Sequence, residues 1–176
     1  MILLIACDRH YAIGYQGDML FHIPADLRHF KETTTGNIVV MGRKTLESLP
    51  GGKPLPGRLN IVLTRGERQE QEGLRVVHSP EELKKLLRKV NGDGSRKVFH
   101  IGGGGLVKTL WTEIDEVILT QLDEEYAKAD TWIPNLNESP EFQCVNVLGE
   151  GEYNGKRWVI RHFQRVKGKD GVHDEG

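Results

Sequence analysis

The feature that most constrains this chain is a series of short apolar runs rich in Val, Ile and Leu, separated by stretches with a helical pattern. Continuous apolar runs of this length are typical of strands buried on both faces of a sheet. Such runs occupy residues 2–6, 38–41, 59–63, 98–101 and 117–119, and helical patterns occupy residues 25–33, 44–49, 80–90 and 106–112. The alternation predicts an α/β fold around a mostly parallel central sheet flanked by helices, a three-layer sandwich.

The last third of the chain has a different pattern. Residues 141–150 and 156–164 alternate more loosely, and Asn154-Gly155 between them favours a two-residue hairpin turn. We therefore expect an antiparallel C-terminal hairpin at the edge of the sheet. The sequence contains no internal repeat and no interdomain linker, so we predict one domain over residues 1–165 and a disordered tail over residues 166–176.

Composition and charge exclude several classes of protein. A chain of 176 residues can bury a core as one domain, and a formal net charge of −1 argues against binding to nucleic acid. Cys7 and Cys144 stand far apart without metal-ligand spacing, and the histidines have none either, so we predict no metal and a reducing, cytoplasmic location. The apolar N-terminal run is too short to span a membrane and lacks the basic flank of a signal peptide.

An acidic residue lies in the first turn of a predicted helix. Asp26 follows Pro24, which suits a first helical turn, and an acid there commonly does no more than complement the helix dipole. Phe30 is four residues away and shares a helix face with Asp26, so the carboxylate could stand on an apolar wall. A carboxylate in such surroundings would have a raised pKa and could recognise a protonatable heterocycle.

Three further segments indicate anion binding. Arg43 and Lys44 follow a buried strand and Gly42, and Arg65 follows the next strand, so the three cations could converge on one phosphate. The run from Gly102 to Gly105 joins a strand to a helix and could cradle a pyrophosphate, although it is not the G-x-G-x-x-G fingerprint. Arg58 ends a rigid Pro-Leu-Pro-Gly turn and could bind a carboxylate, although its local sequence alone favours an ordinary surface charge.

The order of these segments resembles that of the dihydrofolate reductase family from residue 1 to about residue 165. The matching stretches are Leu4-Ile-Ala6, Ile13-Gly14, Pro24-Ala-Asp-Leu27 with Phe30-Lys31, Met41-Gly-Arg43 with Thr45 and Glu47-Ser48, Pro54-Leu-Pro-Gly-Arg58, Ile101-Gly-Gly-Gly104, Leu119-Thr120 and Asp130-Thr131 with Pro134. The resemblance implies NADPH-dependent reduction of 7,8-dihydrofolate to tetrahydrofolate in one-carbon metabolism. It also implies a small-molecule substrate, sensitivity to antifolates and a monomeric enzyme.

The resemblance also implies a role for each matching residue. Asp26, supported by Thr120, would bind the pterin and help a proton reach its ring. Arg58 would bind the α-carboxylate of the glutamate tail. The apolar sleeve around the pterin and aminobenzoyl rings would consist of Ile5, Leu27, Phe30, Leu49 and Leu55.

Further roles implied by the resemblance concern NADPH. Its 2′-phosphate would be held by Arg43, Lys44, Thr64 and Arg65, and its pyrophosphate by Gly102, Gly103, Gly104, Gly105 and Leu106, with a cis peptide between the first two glycines. Residues 8–23 would form a mobile loop that closes over the nicotinamide, with Met19 and Phe21 near the chemistry. The remaining expected cofactor contacts are Cys7, Ile13, Gly17, Asp18 and Thr45.

The chain departs from the family pattern at four places. Phe21 replaces a common tryptophan and cannot donate a hydrogen bond to a water near the acid, and Leu20 replaces a common proline beside it. Val107 replaces an aromatic residue expected on the nicotinamide wall, and residues 50–53 lengthen one turn by two residues.

Two alternative functions stay open: the NADPH-dependent reductase of riboflavin biosynthesis, and a non-catalytic nucleotide or pterin binding module. The pairing of Asp26 with Phe30 on one helix face, together with Arg58 after its rigid turn, favours a folate substrate.

Overall fold

A computed structural model describes residues 1–166 of the chain. The strands are β1 (Ile2–Cys7), β2 (Ala12–Tyr15), β3 (Asp18–Met19), β4 (Ile38–Gly42), β5 (Leu59–Leu63), β6 (Leu74–Val77), β7 (Val98–His100), β8 (Glu116–Leu122), β9 (Thr131–Trp132), β10 (Phe142–Tyr153) and β11 (Lys156–Arg165). The helices are α1 (Pro24–Thr34), α2 (Arg43–Ser48), α3 (Pro80–Val90) and α4 (Gly104–Thr109), with 3₁₀ turns at Pro50–Gly52 and Trp111–Glu113.

Eight strands form the central sheet in the order β10-β11-β8-β1-β7-β4-β5-β6. The pairs among β8, β1, β7, β4, β5 and β6 are all parallel, whereas β11 pairs antiparallel with β8 and β10 antiparallel with β11. This arrangement confirms the predicted fold class, including the antiparallel hairpin at the C-terminal edge.

The parallel strands can be buried in the centre of the fold because their side chains are apolar on both faces of the sheet. In β4, Ile38, Val39, Val40 and Met41 are all fully buried, and they divide between apolar clusters on the two faces of the sheet. Helix α3 covers one face, and its first turn is fixed by Ser79, whose hydroxyl oxygen accepts a hydrogen bond from the Glu82 N–H at 3.1 Å. Because these strands are parallel, their carboxyl ends lie together at one edge of the sheet.

Some elements differ from the sequence-based expectations. Strand β6 was not predicted, nor was a second sheet of three short strands in the order β3-β2-β9. Helix α4 begins at Gly104 rather than Leu106 and ends at Thr109, so half of the glycine run is helical. The predicted disordered tail, apart from Val166, lies outside the described residues. No helix within residues 1–166 has the length and apolar character needed to cross a membrane.

Candidate active site

A cleft of about 540 Å³ opens at the carboxyl ends of the parallel strands. Helix α1 forms one wall, and α2 together with the start of the glycine run forms the other. Ile5 and Ala6 of β1 line the floor, and Ile101 extends it beyond β7. Open α/β sheets bind ligands at this edge because loops and helix starts there present backbone and side-chain groups to one space.

The acid of the cleft is Asp26, in the first turn of α1. Thr120 of β8 donates its hydroxyl hydrogen to Asp26 Oδ1 at 2.5 Å, which joins the helix to the floor of the cleft. Burial raises the pKa of Asp26, while the bond from Thr120 and the charge of His29, one helical turn away, act in the opposite direction. The carboxyl can therefore hold a proton at a higher pH than an exposed aspartate.

The wall beside Asp26 is apolar. The five residues predicted for the sleeve all line the cleft: Ile5, Leu27, Phe30, Leu49 and Leu55. Leu27 is 43% exposed although it lies next to the core, so an apolar ligand ring would find a surface to cover.

Arg58 lines the cleft near the other end of α1. Its Nε donates to the Pro56 carbonyl at 2.9 Å, and its Nη1 donates to Thr34 Oγ1 at 3.0 Å. Burial lowers the pKa of this guanidinium. Thr34, which accepts from Arg58, is eight residues beyond Asp26, so these two residues of α1 are about 12 Å apart along the helix axis. Both partners of Arg58 are neutral, which leaves its charge available to an anion.

The glycine run brings bare backbone to the opposite wall. Gly102 and Gly103 line the cleft, and the peptide bond between them is cis, as expected. The run is fixed by two bonds: the Gly42 N–H donates to the Gly102 carbonyl at 2.9 Å, and the Gly102 N–H donates to His100 Nδ1 at 3.1 Å. Burial lowers the pKa of His100 to about 4, so this imidazole is a neutral acceptor at physiological pH.

Residues 8–23, called the lid loop below, carry β2 and β3 as a hairpin over the cleft. Asp8 at its base is buried, and its Oδ1 accepts the N–H groups of His10 and Ala12 at 2.8 and 2.9 Å. At its tip, the Gln16 N–H donates to Asp130 Oδ2 at 2.8 Å. Gly17, Asp18 and Met19 line the cleft, and the Met19 side chain is 43% exposed.

Of the three predicted phosphate cations, Lys44 lines the cleft, whereas Arg43 and Arg65 do not. Lys44 lines the cleft and contacts the lid loop, whereas Arg43 donates to both carboxylate oxygens of Glu47 at 2.9 and 3.0 Å. Consecutive helical residues point in different directions, and Glu47 lies one turn from Arg43. Arg65 follows β5, which pairs with β4, so Arg43 and Arg65 follow the ends of neighbouring strands.

Several predicted site residues lie outside the cleft. They are Cys7, Phe21, Arg43, Thr64, Arg65, Gly104, Gly105 and Leu106. Cys7 is fully buried in the core, and Phe21 stacks on Tyr126 with ring centroids 5.6 Å apart. Val107, expected on the nicotinamide wall, is also a core residue.

Other residues line the cleft although the sequence did not single them out as site residues. They are Leu4, Ala6, Gly14, His22, Lys31, Ser48, Pro50, Ile101 and Thr131. Lys31 could have been found from the sequence, because it follows Leu27 at the i,i+4 spacing of one helix face. Thr131 had no local signal, because it reaches the cleft only through the pairing of β9 with β2.

Comparisons with known proteins agree with this geometry. A sequence model of the family described as dihydrofolate reductase matches residues 1–165. A dihydrofolate reductase of Staphylococcus aureus is 36% identical over 132 residues, which are 75% of this chain and 76% of the relative. One from Lactococcus lactis is 32% identical over 164 residues, 91% and 94% of the two chains.

The solved structures include a similar fold. Dihydrofolate reductase from Enterococcus faecalis, complexed with NADP(H) and RAB-propyl, superposes with a TM-score of 0.78 at 30% identity, covering 94% of this chain and 96% of that one. This chain therefore belongs to the dihydrofolate reductase family.

Proposed function

We propose that the protein catalyses the NADPH-dependent reduction of 7,8-dihydrofolate to 5,6,7,8-tetrahydrofolate. The observation that carries the proposal is the partly buried Asp26 on an apolar wall, with Arg58 hydrogen-bonded to Thr34 about 12 Å further along the same helix. A pterin offers a ring with hydrogen-bonding nitrogens, and the glutamate tail of folate offers a carboxylate. The spacing of Asp26 and Arg58 suits a ligand with these two ends.

Asp26 binds and orients the ring in this proposal. Its Oδ1 accepts from Thr120, so the other oxygen remains directed to a ligand amino group or ring nitrogen. Because burial raises its pKa, the carboxyl can take up a proton at a higher pH than an exposed aspartate and help to deliver it to the ring nitrogen beside the reduced carbon. Phe21 has no N–H to join this path and packs on Tyr126 instead, so the proton route depends on Asp26.

The residues of the opposite wall fit NADPH. Gly102 has φ +114, where a side chain would be strained, and an added Cβ at Gly103 would lie 3.8 Å from its nearest neighbour, Thr45 Oγ1, so this wall presents open backbone. Bound NADPH supplies the hydride to the pterin. Gly102 and Gly103 would hold its pyrophosphate, Thr45 would contact it from α2, and Arg43 and Arg65 would bind its 2′-phosphate.

The lid loop covers the nicotinamide side of the cleft in this proposal. Closure excludes water from the reacting atoms and so strengthens the polar contacts inside. We further propose that the protein acts as a monomer in the cytoplasm, and that antifolates compete with dihydrofolate for Asp26. The Enterococcus faecalis relative was solved with both NADP(H) and RAB-propyl, so that relative accommodates a second small molecule together with the cofactor.

The test follows the absorbance of NADPH while purified protein turns over dihydrofolate, repeated with NADH. We expect dihydrofolate-dependent oxidation of NADPH, a strong preference over NADH, and complete inhibition by a stoichiometric antifolate. Asp26→Asn should lose most of the turnover while NADPH binding is largely retained. Absence of turnover in a protein that binds NADPH tightly would contradict the proposal.

A further inference from the structure

A histidine occupies a position in the sheet whose neighbours are apolar. His100 ends β7 and lies opposite Leu3 of β1 and Val40 of β4, both of which are fully buried. The preceding residue, Phe99, packs in the apolar cluster on one face of the sheet, whereas Val40 packs with residues of α3 and α4 on the other. Because successive side chains of a strand alternate, the His100 imidazole points towards α4, and it is fully buried there.

The two ring nitrogens of His100 have different surroundings. Nδ1 accepts the Gly102 N–H at 3.1 Å. Burial lowers the pKa of His100 to about 4, so the ring is neutral at physiological pH and its one proton lies on Nε2. The Leu106 backbone partly opposes this shift, but within residues 1–166 no atom accepts a hydrogen bond from Nε2. A buried N–H without an acceptor costs free energy, so stability alone would favour an apolar side chain of the same size.

The bond at Nδ1 fixes the backbone where β7 ends. The Ile101 N–H still donates to a neighbouring strand, at 2.9 Å from the Val40 carbonyl. Gly102 then turns the chain out of the strand direction with φ +114. Its N–H donates to His100, and its carbonyl accepts the Gly42 N–H at 2.9 Å. The direction of the Gly102 backbone is thus set at both of its polar groups.

Gly102 lies at the surface of the cleft. An added Cβ there would lie 3.6 Å from Thr45 Oγ1 and 3.9 Å from Ile5 Cδ1, and Gly102, Thr45 and Ile5 all line the cleft. The buried imidazole of His100 lies behind this wall and acts on the cleft through the Gly102 backbone.

We propose that His100 is a positioning residue for the cofactor, because its Nδ1 holds the backbone of Gly102 and Gly103 in the direction in which this wall meets the pyrophosphate of NADPH. Histidine occupies this core position for the acceptor that it supplies and not for stability. Loss of the acceptor therefore weakens NADPH binding even where the packing is preserved. The binding part of this inference rests on the proposed function, whereas the part concerning the Gly102 backbone does not.

Two substitutions separate the acceptor from the volume of the ring. His100→Leu roughly keeps the volume and removes the acceptor. His100→Asn is smaller and keeps an acceptor, since an Asn side chain hydrogen-bonds the backbone N–H two residues on in an Asx-turn. We expect the dissociation constant of NADPH, measured by titration calorimetry, to rise roughly three- to tenfold in His100→Leu, the factor that one hydrogen bond supplies, and to stay within about twofold in His100→Asn.

The thermal stability of the two variants should follow the opposite order. His100→Asn leaves a cavity in the core and should have the lower Tm. His100→Leu leaves the Gly102 N–H unpaired but also removes the buried Nε2–H, so its Tm should change less. The matched control is Leu83→Val, a change in the apolar cluster that contains Val40, which should lower Tm and leave the dissociation constant of NADPH within about twofold.

Kinetics and hydrogen–deuterium exchange supply two further readouts. In His100→Leu the KM for NADPH should rise with the dissociation constant while kcat at saturating NADPH stays within about twofold, because the lost interaction contributes to binding in the ground state and the transition state alike. In the protein without NADPH, the Gly102 amide should exchange faster in His100→Leu and near the wild-type rate in His100→Asn.

Three results would overturn the proposal: wild-type NADPH binding in His100→Leu, equal weakening in His100→Leu and His100→Asn, or binding that falls with Tm across these variants and Leu83→Val. Each would show that the ring contributes packing and not an acceptor. If the wild-type protein does not bind NADPH, the proposed function fails, and exchange at Gly102 still decides whether His100 holds this backbone.

Discussion

The contact between Gly104 and Thr131 allows a sharp prediction about how the three-stranded sheet β3-β2-β9 packs against the glycine run. Gly104 is the buried first residue of α4, and an added Cβ would lie 2.3 Å from Thr131 Cγ2. The next nearest atom, Ile13 Cδ1, would be 3.7 Å away, which is an ordinary contact. The Thr131 hydroxyl is bound to Asp130, and a β-branched side chain is stiff, so the methyl group does not move aside easily.

Gly104→Ala should therefore destabilise the protein through one methyl overlap. Overpacking of a well-packed site costs about 1–3 kcal/mol. For a chain of this size, each kcal/mol shifts Tm by about 2–4 °C, so we expect a fall of roughly 2–12 °C. Without the overlap, alanine at a helical position would instead stabilise by about 0.4–1 kcal/mol, because it restricts the unfolded chain.

Thermal unfolding of a double-mutant cycle provides the measurement. Thr131→Ser removes Cγ2 and keeps the hydroxyl that binds Asp130, so Gly104→Ala should cost little or nothing in the Thr131→Ser background. Gly105→Ala is the matched control, since an added Cβ there meets no atom within 4 Å. An equal loss from Gly104→Ala in both backgrounds would refute the argument from the methyl overlap.

Two further predictions concern the charged groups of the cleft. Burial raises the pKa of Asp26 above its unfolded value, so its contribution to stability is complete below about pH 3.8 and is lost as the pH rises through the folded pKa. Asp26→Asn should thus raise Tm at pH 8 but not at pH 3.5, and the same gain at both pH values would contradict this cause. Arg58→Gln should raise KM for dihydrofolate about tenfold or more with little change in KM for NADPH, because a charged hydrogen bond is worth about 1.5–3 kcal/mol. Steady-state kinetics measures both KM values, and an unchanged KM for dihydrofolate would show that Arg58 does not bind the substrate.

The sequence predicts those parts of the fold whose signals are local. The apolar runs of β4 and β5 are buried on both faces, and α3 has the bounds that Ser79, Pro80 and Asn91 indicate. Asp26 could be found because proline, acid and apolar residues recur at helical spacing beside it. Its partner Thr120 could not be found from spacing, because the two residues are 94 positions apart and meet only when β8 enters the sheet.

The missed elements lack such local signals. Strands β3 and β9 have two residues each, too few for any period to be seen, and they exist because β2 pairs with both. The direction of a side chain is equally hard to predict. Cys7 was expected at the cofactor but packs in the core, and Phe21 turns to Tyr126. The separation of Arg43 from Lys44 did have a signal, since Glu47 follows Arg43 at the i,i+4 spacing of helical ion pairs.

The hydrogen bonds that Asp26 and Arg58 make within the protein indicate how the cleft could distinguish the two ends of a ligand. Burial acts on both groups in the direction of the neutral form, raising one pKa and lowering the other. Asp26 is hydrogen-bonded by a hydroxyl, and Arg58 donates to a carbonyl and a hydroxyl, so among residues 1–166 neither charge is cancelled by a direct ion pair. A ligand with a protonatable ring at one end and a carboxylate at the other stabilises both charged forms at once. The reversed ligand would place its carboxylate beside Asp26, where two like charges in an apolar cleft repel, so under the proposed function Asp26 and Arg58 would both bind the ligand and fix its orientation.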